Sequence, residues 1–233
     1  MDEPPFLADA TIRYVGPRHI VRGGDPVPVP FWPPGRSFEG MTVTLIGGGP
    51  SHADIDLSIL KGHPFIAINS ACRKVRPIAT DDDILYFSDN SWAERFDRLL
   101  RTWPGPIVTS NRNAKARLGA LVRRLEIEAI TREIQIMSDR VQASSGHTAA
   151  CLAVIMGARR IVLCGFECRA LGGKTHGHGD YQLHDLSVFD ERFLPGWRAL
   201  AVAFAERGVE VINATPESSI IDFPFASLAE ALE

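Results

Sequence analysis

Between residues 42 and 214 the sequence alternates short apolar runs with longer stretches of helical composition. The apolar runs are TVTLIG (42–47), PFIAIN (64–69), ILYFSD (84–89), PIVTS (106–110), EIQIM (133–137), RIVLCGF (160–166) and VEVINA (209–214). Most are apolar at nearly every position rather than at every second one. A strand with one wet face alternates; a strand covered on both faces does not. Between the runs lie SWAERFDRLLRTW, with Trp92, Phe96, Leu99 and Leu100, and SGHTAACLAVIMGA, rich in small residues and stopped by Gly157. A third stretch, LPGWRALAVAFAERG, stops at Gly208, a common residue just past a helix end. This alternation predicts an α/β fold, a mainly parallel sheet with helices on both faces.

Residues 1–40 have a different character. The segment GGDPVPVPFWPPGRSFEG repeats proline among apolar residues. Proline lacks an N–H and fixes φ, so this segment belongs in neither helix nor sheet interior. It reads as an extended arm over residues 1–40, laid on the domain or on a neighbouring subunit of a homo-oligomer. Residues 41–233 then form a single domain, consistent with a chain of 233 residues. The formal charge of −3 gives no global reason to expect nucleic acid or a membrane as partner. The apolar runs are far shorter than a bilayer span, and MDEPPFLADATIRYVG lacks the apolar core of a signal peptide. A cytoplasmic location is the expectation. Cys72, Cys151, Cys164 and Cys168 read as buried reduced thiols, since C-x3-C without a second pair is a poor zinc pattern.

The first strand runs into Gly47-Gly48-Gly49-Pro50-Ser51. Parallel α/β sheets bind ligands at the carboxyl ends of their strands, and glycines there let a ligand approach backbone N–H groups. The loop is neither a P-loop nor a full G-x-G-x-x-G, because His52 stands where the third glycine belongs. It therefore predicts an anion or nucleotide site, or alternatively a tight turn. A second element is the helix start Ser144-Ser145-Gly146-His147, where hydroxyls, unpaired N–H groups and the positive dipole end coincide.

Taken together, G-x-G-P-S at 47–51, Asn69, the run S-S-G-x-x-A-A-x-x-A-x-x-x-G-A-x-x-I-x-L-x-G-F-E at 144–167 and the late VINATPESSI resemble a known Rossmann-like superfamily. It contains the bacterial lipooligosaccharide sialyltransferases, the flagellin-glycosylating motility factors and the archaeal 6-hydroxymethylpterin diphosphokinases. The chain is similar above all to small phage and prophage proteins, some of them morphogenesis-related. The resemblance implies a Rossmann-like nucleotide-binding domain over about residues 41–230. By analogy with the sialyltransferases it implicates Gly47, Gly49, Pro50, Ser51, Asn69, Ser144, Ser145 and Gly146 in holding the nucleotide; Gly48 joins them by its place in the loop. Those transferases carry a histidine base just before the last long helix. Here that region reads DERFLPGW, so the base for any transfer has to come from elsewhere.

The run LGGKTHGHGDYQLHD supplies candidates: His176, His178, Asp180, His184 and Asp185 follow the strand ending at Phe166. Imidazole titrates near working pH, so His178 or His184 is a candidate general base. H-x-H-x-D is not an established metal spacing, which ranks metal binding low. Asp89, at the end of the third strand, could orient an acceptor or hold a metal. The TDDD turn at 80–83 reads as solvated, and Arg112, Lys115, Arg117, Arg123 and Arg124 as a solvated helix face without stacking aromatics. Three functional expectations follow. The first is a nucleotide-sugar-dependent, glycosyltransferase-like enzyme in which amides of 47–51 and 144–147 steady the phosphate leaving group. The second is an ATP-dependent diphosphokinase with Mg²⁺ held by Asp89 and Asp180. The third is a non-catalytic phage accessory protein.

Overall fold

The structure is a computed structural model and describes residues 31–233. Seven parallel strands form one sheet: β1 (Thr42–Ile46), β2 (Phe65–Ile68), β3 (Ile84–Phe87), β4 (Ile107–Thr109), β5 (Arg123–Arg124), β6 (Arg160–Cys164) and β7 (Glu210–Asn213). Their spatial order is β5-β4-β3-β2-β1-β6-β7. The chain builds outward from β1 to β5, then crosses back to add β6 on the other side of β1. The carboxyl ends of β1 and β6 therefore border a topological switch point, the usual ligand crevice of open α/β sheets. The expected α/β architecture is what the chain adopts.

Successive side chains of a strand point to opposite faces. Val43 and Leu45 enter one apolar cluster, while Ile46 enters the other. The second cluster is covered by α1 (Cys72–Val75), α2 (Asn90–Arg95), α3 (Asp97–Leu100) and α4 (Arg112–Leu118), through Cys72, Val75, Trp92, Leu100 and Leu118. The first is covered by α5 (Ile127–Ile134), α6 (Ser138–Gln142), α7 (Ser145–Ile155) and α8 (Leu194–Ala205). A short α9 (Leu228–Leu232) closes the β6–β7 end, opened by a capping box between Ser227 and Glu230.

The long central helix α7 explains its own composition. It packs on β1, β2 and β3 and is in turn covered by α5, α6 and α8. Nine of the eleven residues of Ser145–Ile155 are buried, so it is apolar all round rather than on one stripe. Ala149, Ala150 and Ala153 are small because sheet and helices approach from both sides. At its end, Gly157 takes φ 95°, and Gly40 and Phe38 donate backbone N–H groups to Gly157 and Met156 carbonyls.

Four local expectations change. EIQIM is not a strand: Ile134 ends α5, Gln135 is left-handed at φ 53°, and Met137 caps α6. Ile134 is buried and Ile136 packs against the same core, and over so short a window that alternation fits either period. The missing strand is β5, only Arg123 and Arg124, extended by a bond from Trp32 N–H to Arg124 O at 2.8 Å. The basic stretch is not one solvated face. Arg124 is buried under Phe31, and Lys115 closes its helix on the Gly119 and Val122 carbonyls. Within TDDD, Asp83 is buried and accepts from Phe65 N–H (3.1 Å), Thr80 N–H (2.7 Å) and the Thr80 hydroxyl (2.8 Å). Finally, SWAERFDRLLRTW breaks at Phe96 into α2 and α3.

The Pro-rich arm and its oligomer contact concern mainly residues 1–30, which lie outside the described residues. The four cysteines are free, and burial pushes the Cys72, Cys164 and Cys168 thiols up to about 12. Among the described residues no helix is long and apolar enough to cross a membrane.

Candidate functional site

The two glycine-containing motifs meet at the carboxyl edge of the sheet. Gly47 follows β1, and Gly146 lies in the first turn of α7. A Cβ built on Gly47 would lie 3.1 Å from Phe166 Cε2, and one on Gly146 would lie 2.6 Å from Phe166 Cε1. One ring, two residues after β6, is thus wedged between them, and Trp197 of α8 backs it at 5.5 Å. Ser144 caps α7 by accepting from His147 N–H at 3.3 Å. Ser145 Oγ lies 2.6 Å from Ser88 Oγ, at the end of β3.

Every glycine of the 47–49 loop makes room for another part of the same chain. A Cβ at Gly47 would lie 2.5 Å from Gly165 O, one at Gly48 2.9 Å from His178 Nε2, and one at Gly49 1.6 Å from Glu167 Oε2. The loop amides are engaged as well. Gly47 N–H donates to Cys164 O (2.8 Å), Gly49 N–H to Gly165 O (2.9 Å) and His52 N–H to Gly49 O (3.0 Å). Ser51 N–H donates to the Glu167 carboxylate at 2.6 Å. Of the expected cradle of amides at 47–51, those of Gly47, Gly49 and Ser51 are thus bonded to the segment at and after the end of β6. Pro50 opens a short 3₁₀ turn, Pro50–Ala53, where its missing N–H costs nothing.

The histidine run lies directly on this loop. Gly177 N–H donates to the carbonyls of Gly48 and Gly49, both at 3.1 Å. Gln182 knits the run together: its carbonyl oxygen accepts from Thr175 N–H (2.7 Å), while its amide donates to His178 O (3.0 Å). His176, His178 and Tyr181 form a ring cluster, with centroids 4.4 Å apart for His176–Tyr181 and 5.1 Å for His178–Tyr181. Asn69, left-handed at φ 50° after β2, lies beside the Tyr181 hydroxyl.

Burial pushes His178 below the ordinary imidazole range, and Asp180 pulls partly the other way. His176 and His52 are lowered to about 4, chiefly by burial. His178 Nδ1 lies 3.8 Å from Asp180 Oδ2. Burial opposes the charge on Asp180, yet Ser70 and Arg73 together hold its carboxyl below the usual range. Several buried polar atoms here have no hydrogen-bond partner: Ser51 Oγ, His52 Nδ1, Asn69 Oδ1, Glu167 Oε2 and both ring nitrogens of His178. Such atoms cost free energy unless something else satisfies them, and in one crevice they point to a ligand or water site.

Of the residues singled out in the sequence, Gly47, Gly48, Gly49, Pro50, Ser51, Ser144, Ser145, Gly146, Asn69, His178 and Asp180 converge on this edge. Two others are engaged differently. Asp89 borders the cluster, its charge adding to the burial that raises the Tyr181 hydroxyl, but its carboxylate caps α2, accepting from Ser91 N–H (2.8 Å) and its hydroxyl (2.9 Å). His184 is exposed, and the ring cluster is built from His176, His178 and Tyr181 instead. Among the described residues no group of three or more His, Cys, Asp or Glu side chains could hold a metal ion. Sequence reasoning missed Glu167, Phe166, Arg73, Tyr181 and Gln182. Only the first two carried a signal, the G-F-E that closes the second motif. A groove of about 400 Å³ lined by Ser138, Arg140, Gln142, Glu191 and Arg192 contains none of these residues.

No protein-family model matches the chain, and no curated protein matches it. Among solved structures it is similar to the crystal structure of the sialyltransferase CST-II in complex with trisaccharide acceptor and CMP. The TM-score is 0.55 at 15% identity, over 82% of this chain and 87% of that one. At that identity the likeness defines a shared fold, a Rossmann-like α/β domain.

Proposed function

We propose that the protein binds a nucleotide and acts as a nucleotide-sugar-dependent, glycosyltransferase-like enzyme. The observation that carries this is the place of His178: a largely buried imidazole against Gly48, at the crevice where β1, β6 and the start of α7 meet. Its lowered basicity leaves the ring neutral near pH 7 and able to accept a proton. An Nδ1–H turned toward Asp180 leaves Nε2, the nitrogen nearer Gly48, as the acceptor. In the reaction an acceptor hydroxyl oxygen forms the new bond to the anomeric carbon. Its proton passes to His178 Nε2, and the bond from anomeric carbon to phosphate oxygen breaks. The leaving phosphate takes that electron pair and is steadied by the N–H groups and hydroxyls at Ser144–Gly146, since the Gly47, Gly49 and Ser51 amides are already engaged. The fold shared with a CMP-binding sialyltransferase supports this reading.

A diphosphokinase would need Asp89 and Asp180 on one Mg²⁺. The first caps α2 and the second is held by Arg73, so the geometry favours the transferase-like reading. The test is calorimetric titration with CMP, other nucleoside mono- and diphosphates and their sugar conjugates, followed by an assay for nucleotide release. Saturable binding with release that depends on His178 is the expected result. Absence of binding across the panel would sink the proposal.

A further inference from the structure

Three cationic side chains approach the site from the segments after β2 and β3: Arg73, Lys74 and Arg95. Lys74 is engaged, its Nζ donating to the carbonyls of His52 (2.7 Å), Ala53 (2.9 Å) and Ile55. Arg73 and Arg95 instead reach across to the histidine run and end on the same residue. Arg73 Nη1 lies 2.9 Å and 3.0 Å from the two carboxylate oxygens of Asp180, and Arg95 Nη1 lies 2.5 Å from the Asp180 carbonyl. The Arg73 side chain is 51% exposed and Asp180 only 9%, so solvent reaches the guanidinium while the carboxylate is inside. The same carboxylate faces His178 Nδ1 at 3.8 Å. A permanent guanidinium and a titratable ring thus share one carboxylate.

We infer that Arg73 and Arg95 form an oxyanion site that Asp180 fills in the unliganded protein, and that an incoming phosphate displaces the Asp180 carboxylate from Arg73. Guanidinium groups bind carboxylate and phosphate through the same donors, and a phosphate dianion brings the larger charge. Once released, the Asp180 carboxylate still faces His178 Nδ1, 3.8 Å away, so phosphate binding would free it to orient the proposed base. That the phosphate belongs to a nucleotide rests on the function proposed above; the oxyanion site itself does not.

The test uses the full chain, with inorganic pyrophosphate, CMP and cytidine as calorimetric ligands and thermal melting as the check on folding. Removing the internal competitor in Asp180→Asn should tighten pyrophosphate binding roughly three- to tenfold, the scale of a partly exposed ion pair. Arg73→Gln should weaken it by a similar or larger factor, and Arg95→Gln should do so through an independent side chain. Cytidine, lacking the phosphate, should show neither effect. Unchanged or weaker pyrophosphate binding by Asp180→Asn overturns the inference, as does the absence of pyrophosphate binding to every variant. If CMP binds the wild type but Asp180→Asn brings no gain, the inference fails and the proposed function stands. If pyrophosphate shows the gain while no nucleotide binds, the reverse holds.

Discussion

Glu167 places a carboxylate oxygen where the side chain of Gly49 would begin. The separation from a Cβ built there is 1.6 Å, and the other oxygen of the same carboxylate accepts from Ser51 N–H. The loop after β1 is shaped by the segment after β6, two strands that are neighbours in the sheet.

Gly49→Ala should therefore lower stability, since the new methyl also meets the Gly165 carbonyl at 2.7 Å. We expect a loss of about 1–3 kcal/mol, the usual cost of overpacking, read as a shift of the urea midpoint at constant m. Gly35→Ala is the control, with nothing within 4 Å, and should lie within about 0.5 kcal/mol of wild type. Equal midpoints for the two variants would show that the glycine loop yields without cost.

Asp83→Ala removes the acceptor for the Phe65 and Thr80 N–H groups. With the site buried, the stranded donors should cost about 2–3 kcal/mol, whereas Asp81→Ala, on the exposed part of the turn, should be nearly silent. Chemical denaturation of both separates a structural carboxylate from a solvated one. A silent Asp83→Ala would return the whole turn to the solvent.

Acid should destabilise the protein earlier than carboxylate titration alone would. Burial depresses His147 to about 3 and His52 and His176 to about 4, and lowers His178 as well, all from 6.5. Below pH 6.5 the unfolded chain takes up protons that the folded one refuses, so stability is full above that pH. It falls as pH drops through the folded values near 4 and 3. His147, with no exposed surface, adds a slope of up to about 1.4 kcal/mol per pH unit. His147→Leu should flatten the profile of stability against pH between 6.5 and 4. An unaltered slope would mean that His147 does not titrate out of register with the unfolded state.

In the transferase assay, His178→Ala should reduce turnover by roughly two to four orders of magnitude, the worth of general base help, with nucleotide affinity little changed. His184→Ala, on an exposed ring, should leave turnover close to wild type. Equal effects of the two substitutions would remove His178 as the base.

What the sequence determined by itself was local. Near-continuous apolar runs specified buried parallel strands, Gly157 and Gly208 marked helix ends, and Ser144 capped α7 as its position demanded, because each depends on neighbours a few residues away. EIQIM failed for the same reason, since a five-residue alternation does not distinguish a strand from a helix end packed against the core. Tertiary structure alone decided which groups stand against the glycines, that His178 rather than His184 enters the crevice, and that Asp83 is buried. The contacts responsible join residues far apart in sequence: Ser51 with Glu167, 116 positions on, and Arg73 with Asp180, 107 positions on. A glycine triplet looks the same whether it admits a phosphate or a carboxylate of its own chain. Only the strand order, with β6 returning beside β1, brings Glu167 to the loop.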